Sequence, residues 1–179
     1  MSNLFDPIQI GALTLPNRLV MSPLTRCRAG KERVPTALMA EYYTQRATAG
    51  LIISEAARVH ETALSDSPAI NASTDACVEA YARLADAVQQ HGCRLFGQVS
   101  HSGRANDRKR DGLRDVAYSA SAVPDERFHN MPRAMSVDLI AEVIAAYAAA
   151  AKRMATAGLD GIEIPASHGL LPEIGRAHV

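Results

Sequence analysis

Apolar and polar positions along the chain repeat one figure: a short apolar run of strand type, then a stretch with helical spacing. Residues 4 to 16, LFDPIQIGALTLP, alternate around Gly11 and predict a small β-hairpin ahead of the main fold. Leu19 to Met21 predict a short strand, ended by Pro23, which lacks a backbone donor, with Thr25 and Arg26 on the loop beyond. Pro35 and Gly50 bracket a helix over residues 36 to 49, on which Leu38, Tyr42 and Gln45 or Arg46 share a face. Leu51-Ile52-Ile53 is a continuous apolar strand ending in Ser54-Glu55-Ala56-Ala57, and residues 58 to 72 read as a loop. Ser73 or Thr74 would cap a second helix, whose stripe is Cys77, Tyr81, Leu84 and Val88 and which Gly92 ends. After the strand at Arg94, the charged residues 104 to 117 read as a solvated loop, with a lid as the alternative. Ser136 caps a third helix over residues 137 to 157, with Ile140, Val143, Tyr147, Ala151 and Met154 on one face and Gly158 as its stop. Gly161 to Ile164 form the last strand, followed by Pro165-Ala166-Ser167-His168-Gly169.

This order, a hairpin and then βαβαβαβ, implies a parallel sheet with right-handed crossovers. The expected fold class is α/β: the N-terminal half of a (β/α)8 TIM barrel preceded by a short β-hairpin, since a full barrel takes ~250 residues. One domain is expected, with no internal repeat or linker. The stretch RLFGQVSHSGR, residues 94 to 104, carries the strongest polarity. Leu95, Phe96 and Val99 build a buried strand, while Gln98, Ser100, His101 and Arg104 crowd its C-terminal end. In a parallel barrel that end faces the site of chemistry; the plainer alternative is a strand whose end is merely wet.

Composition narrows the classes. The chain has 179 residues with 19 basic and 19 acidic side chains, which argues against nucleic acid or an anionic membrane as partner. No Trp is present, so a base-stacking surface is not expected. The start, MSNLFDPIQIG, lacks a signal-peptide pattern, and the Ala-rich run near residue 148 is broken by Lys152 and Arg153. Cys27, Cys77 and Cys93 lack metal-site spacing and read as reduced thiols, placing the protein in the cytoplasm.

Five stretches, MSPLTRCRAG, MAEYYTQRATAGLIISEA, FGQVSHSGR, MPRAM and GLDGIEIPASHG, together resemble the N-terminal half of the old yellow enzyme family. These are FMN-dependent NADH:flavin oxidoreductases built on a TIM barrel. The resemblance covers residues 4 to about 172 and implies FMN as cofactor, NAD(P)H as electron donor and a small-molecule substrate. It implies that Pro23 and Leu24 lie along the isoalloxazine, that the Thr25 hydroxyl meets the ring, and that Ala56 touches it through its backbone. Gln98 would bind the pyrimidine edge, and His168 would hold the acceptor's oxygen. Taken without the family, the plainer readings stand first: Thr25 as a turn cap, Gln98 as a partner for barrel backbone and His168 as a structural histidine. A homo-oligomer of the full-length protein is compatible with this picture.

The chain departs from the family pattern at three places. Pro165 stands where many ene-reductases have a first substrate-binding His, and Leu170 where they have a proton-relaying Tyr. Both changes resemble the branch that oxidises N-methyl amines, as an alternative to alkene reduction. Residues 173 to 179 fall outside the resemblance, and 174 to 179 read as sequencing-adapter read-through. The domain is therefore expected over residues 1 to 172. As alternatives to the enzyme, the sequence allows a non-catalytic half-barrel or another phosphate-handling barrel.

Overall fold

The computed structural model describes residues 3–63, 69–106, 109–110, 113–114, 116–127 and 130–174. The N-terminal hairpin forms as expected, β1 (Ile8–Ile10) pairing antiparallel with β2 (Leu13–Leu15). A parallel sheet follows, built from β3 (Val20–Met21), β4 (Leu51–Arg58), β6 (Arg94–Ser100) and β11 (Gly161–Glu163), adjacent in that order. The crossovers are α1 (Ala37–Thr44), α2 (Cys77–Gln89) and α3 (Val137–Thr156). Strands neighbouring in space in chain order, each joined by a helix, form the first part of a singly wound barrel wall.

One core holds the sheet to its helices. Met39 and Tyr43 of α1, Tyr81, Leu84 and Val88 of α2, and Met154 of α3 pack on Ile52, Leu95 and Val99. The α2 stripe is the expected one. On α1 the buried residues are Met39 and Tyr43, so the expected face is displaced: Leu38 is 58% exposed, while Tyr42 is partly buried against the core. On α3 the expected stripe holds at Val143 and Met154, with Tyr147 packed against the core, while Ile140 is 41% exposed and Ala150 is buried in place of Ala151. The opposite face of the sheet carries Val20, Phe96, Gln98, Gly161 and Glu163, exposed or half-buried.

Several boundaries differ from expectation, each for a local reason. Helix α1 stops at Thr44, because i→i−3 bonds from Arg46 to Tyr43, Ala47 to Thr44 and Ala49 to Arg46 tighten the chain into 3-10 turns. Helix α2 begins at Cys77, not at Ser73 or Thr74, and its N-cap Ala76 offers no side-chain oxygen; Cys77 N and Val78 N bond Thr74 O and Asp75 O instead. Ser136 does cap α3, accepting from Leu139 N at 3.2 Å, and Gly158 ends it at φ +85. The expected loop over 58–72 contains β5 (Ile70–Asn71), which pairs parallel with the end of β4; residues 64–68, with Pro68, lie outside the described residues. The expected loop over 104–117 contains an antiparallel hairpin, β7 (Lys109–Arg110) and β8 (Leu113–Arg114), and residues 107–108, 111–112 and 115 lie outside the description. Beyond it β9 (Tyr118–Ser119) pairs parallel with β10 (Arg133–Ala134). A short α4 (Leu171–Ile174) closes the described chain, and the rest of the expected tail, 175–179, lies outside it.

Candidate functional site

The site begins with an irregularity between β4 and β6. Ser54 pairs with Gly97 and Ala57 with Val99, so Glu55 and Ala56 together stand opposite the single residue Gln98. This is a β-bulge, and it resets the alternation of β4. Before it the core residue is Ile52; after it the core residues are Ala57 and Val59, and Ser54 and Glu55 are both fully buried. The bulge leaves the Ala56 backbone out of the regular ladder, at the level of Gln98.

Gln98 sits half-buried between that bulge and β11. Its register partner there is Glu163, and its Nε2 donates to Glu163 Oε1 at 2.6 Å. Among the described residues the Gln98 carbonyl oxygen and second amide hydrogen make no other hydrogen bond. Gly161, one alternation earlier on β11, has no side chain because Phe96 occupies the space: a Cβ would lie 2.5 Å from the ring.

Glu55 fixes the loop beyond β3. Arg26 Nε and Nη2 donate to Glu55 Oε2 at 3.1 and 2.7 Å, and the guanidinium lies 3.5 Å over the Tyr42 ring. The Tyr43 hydroxyl accepts from Glu55 N at 2.8 Å and donates to Glu55 Oε2 at 3.4 Å. Burial pushes that phenol up to about 12, so it stays protonated. Glu55 Oε1 and Ser54 Oγ are buried without a hydrogen-bond partner among the described residues. With Arg26 held, the residues before it project past the strand: Pro23 half-buried, Leu24 60% exposed, Thr25 exposed.

The segment after β11 is held from the excursion that precedes α3. Asp125, 5% exposed, accepts from Arg127 Nε at 3.0 Å and Nη2 at 2.8 Å, and Arg127 Nη2 also donates to the His168 carbonyl. The guanidinium hydrogen bonds hold the Asp125 carboxyl below its usual range. Gly169 follows at φ +75, where a Cβ would sit 2.9 Å from Asp125 Oδ2, so both conformation and space call for glycine. His168 itself is exposed at φ +58, its Nδ1 2.8 Å from Ser167 Oγ.

A second histidine, His101, is fully buried just past β6. Its Nδ1 accepts from Gly103 N at 3.0 Å, so the proton is on Nε2, which donates to Thr62 Oγ1 at 2.9 Å. Thr62 N donates to His60 Nδ1 at 3.3 Å, which makes that nitrogen an acceptor for the Thr62 hydroxyl too, at 2.8 Å; His60 Nε2 then donates to Glu142 at 3.1 Å. Burial, with the stacked His60 ring at 6.5 Å, lowers His101 to about 4.

All four strands run parallel, so Thr25, Ala56, Gln98 and His168 lie at or beyond the same, C-terminal, ends of β3, β4, β6 and β11. Ala56 and Gln98 are brought to one level; no hydrogen bond joins Thr25 or His168 to Gln98 among the described residues. Glu55, Glu163, Thr62 and Arg127 were not singled out from the sequence. A lone carboxylate inside an apolar strand, as in LIISEA and GIEI, was the available signal for the first two. The three cysteines are free thiols, and burial raises Cys93 to about 11. Among the described residues no group of His, Cys, Asp or Glu could hold a metal, and no helix is long and apolar enough to cross a membrane.

A parallel wall with crossover helices on one face and polar groups gathered at its C-terminal ends is the architecture of an α/β-barrel enzyme segment. Comparison with known proteins makes this specific. The chain belongs to the NADH:flavin oxidoreductase / NADH oxidase family, whose sequence model matches residues 3–174. It is 33% identical to a probable flavin mononucleotide-dependent alkene reductase of Leishmania infantum, over 94% of this chain and 50% of that protein. It is 36% identical to a putative 12-oxophytodienoate reductase of Oryza sativa subsp. japonica, over 94% of this chain and 45% of that protein. Among solved structures, the old yellow enzyme homologue from Zymomonas mobilis superposes with a TM-score of 0.85 at 38% identity, covering 95% of this chain and 50% of that one. Morphinone reductase superposes with the same TM-score at 35% identity, covering 95% and 49%. The chain thus spans about half the length of the relatives it matches.

Proposed function

We propose that this chain forms the flavin-ring side of an FMN-dependent NAD(P)H oxidoreductase of the old yellow enzyme type, reducing activated alkenes or related small-molecule acceptors. The observation that carries the reading is the Gln98 amide, set between the Glu55–Ala56 bulge and Glu163 with one acceptor and one donor unused. The pyrimidine edge of a flavin is an imide, an N–H flanked by carbonyls, and a carboxamide with that free pair complements it. The residues present therefore fit the ring.

In this reading Gln98 binds the pyrimidine edge and Ala56 meets the ring through the backbone the bulge exposes. Pro23 and Leu24 lie along the ring, and Thr25 presents its hydroxyl to it. Arg26, pinned by Glu55, fixes the loop that carries these three. When bound, FMN supplies hydride transfer between the nicotinamide and the acceptor. His168 orients the acceptor: where Ser167 donates to its Nδ1, Nε2 carries the proton and is a donor for the acceptor's oxygen. Pro165 has no donor to share that task, and Leu170 can relay no proton.

The similarity to a probable flavin mononucleotide-dependent alkene reductase supports the reduction of alkenes. Pro165 and Leu170 favour the second reading, oxidation of an N-methyl amine, and turnover of an activated enone against an N-methylated amino acid separates the two. Residues 1 to 172 make up the domain portion assigned here, acting in the cytoplasm with NADH or NADPH.

The test is FMN titration of the full gene product. Gln98→Leu leaves a polar edge unpaired, worth about 1–3 kcal/mol, or roughly tenfold to a hundredfold in affinity. Unchanged affinity would remove the role of Gln98. His168→Ala should raise the acceptor KM more than it slows reduction of the flavin by nicotinamide.

A further inference from the structure

We infer that Glu163 is a positioning residue which fixes the orientation of the Gln98 amide, and so decides which of its atoms faces the bound ring. The inference rests on the flavin reading above and goes one step beyond it, to a residue that need not touch the ring.

A primary carboxamide has two orientations related by a half-turn, almost equal in shape and opposite in hydrogen-bond sense. Nothing in Gln98 itself prefers one. An ionised carboxylate only accepts, so the 2.6 Å contact with Glu163 Oε1 requires Nε2 on that side; the turned amide would set its carbonyl oxygen against a carboxylate oxygen. The two residues are register partners on adjacent parallel strands, and both side chains are half-buried, so the pair is held by backbone and not by a mobile loop. With one amide hydrogen engaged by Glu163, the carbonyl oxygen and second hydrogen remain, which is the set an imide N–H and its neighbouring carbonyl require. Without Glu163 the amide would divide between its two orientations, and only one would be competent.

The experiment measures FMN dissociation constants by fluorescence titration on the full gene product and on Gln98→Leu, Glu163→Gln, Glu163→Lys and the double variant Gln98→Leu/Glu163→Gln. Glu163→Gln is nearly isosteric and can accept or donate, so it permits both orientations and should weaken binding about twofold by halving the competent population. Lysine only donates, so Glu163→Lys should hold the amide in the turned orientation and weaken binding by about tenfold or more. The double variant should bind no more weakly than Gln98→Leu alone, because the effect of Glu163 passes through Gln98.

Wild-type affinity in both Glu163→Gln and Glu163→Lys, or a double variant that binds more weakly than Gln98→Leu alone, would overturn the inference and leave the flavin reading standing. Tighter binding by Glu163→Lys would overturn it too, showing that charge and not orientation is felt. Wild-type affinity in Gln98→Leu would instead defeat the flavin reading. If Glu163→Lys fails to fold by circular dichroism, the isosteric variant and the double variant decide the matter.

Discussion

Acidification should destabilise this protein through His101. The imidazole is neutral in the fold, and the structure gives two reasons to keep it so. It is fully buried beside the His60 ring, and its Nδ1 lone pair accepts the Gly103 N–H, a bond a protonated ring cannot make. The ring therefore titrates at about 4 when folded against an ordinary value of 6.5. A base whose folded pKa is depressed binds its proton more readily when unfolded, so its stabilisation is complete above 6.5 and is lost as pH falls towards 4. A gap of about two and a half units is worth about 3 kcal/mol. Urea unfolding of wild type and His101→Gln, measured between pH 7.5 and 4, tests this. Glutamine can still accept from Gly103 and donate to Thr62 but cannot titrate, so wild type should lose about 3 kcal/mol more than the variant across that window. Parallel curves, or NMR showing the ring protonated in the folded protein at pH 6, would refute the reasoning. Asp125, held low by Arg127, loses stability in the same direction, but at pH values below that window.

Two further substitutions test the framework of the site. Gly50→Ala places a Cβ 2.1 Å from the Asn17 carbonyl oxygen, a backbone atom, and should cost about 3 kcal/mol in urea melts by forcing the β3 and β4 entries apart. Arg26→Met leaves the Glu55 carboxylate fully buried without its cation and should cost about 3–5 kcal/mol; a midpoint within experimental error of wild type would show the pair to be dispensable.

Much of the wall was legible along the chain because local periodicity and backbone chemistry act over a few residues. Cys77, Tyr81, Leu84 and Val88 recur at helical spacing, Ser136 caps and Gly158 stops α3, and the apolar run at Leu51 is a strand. The motifs around Thr25, Gln98 and His168 likewise named a family, because their order and spacing are sequence properties. The faces of α1 and the start of α2 were less legible. Met39 and Leu38 are both apolar, and only packing on the sheet selects Met39; the turn bonds at Thr74 and Asp75 open α2 without a side-chain cap.

The site's inner order was decided by tertiary structure alone. A one-residue bulge in β4 is invisible in an apolar run, yet it buries Glu55 beside Arg26 and sets Ala56 opposite Gln98. The partners that matter most are far apart in sequence: Gln98 with Glu163, His168 with Arg127, His101 with Thr62, and His60 with Glu142. Hydrogen bonds and ion pairs reach only about 3 Å, so they depend on strand register and loop path, which no local pattern encodes.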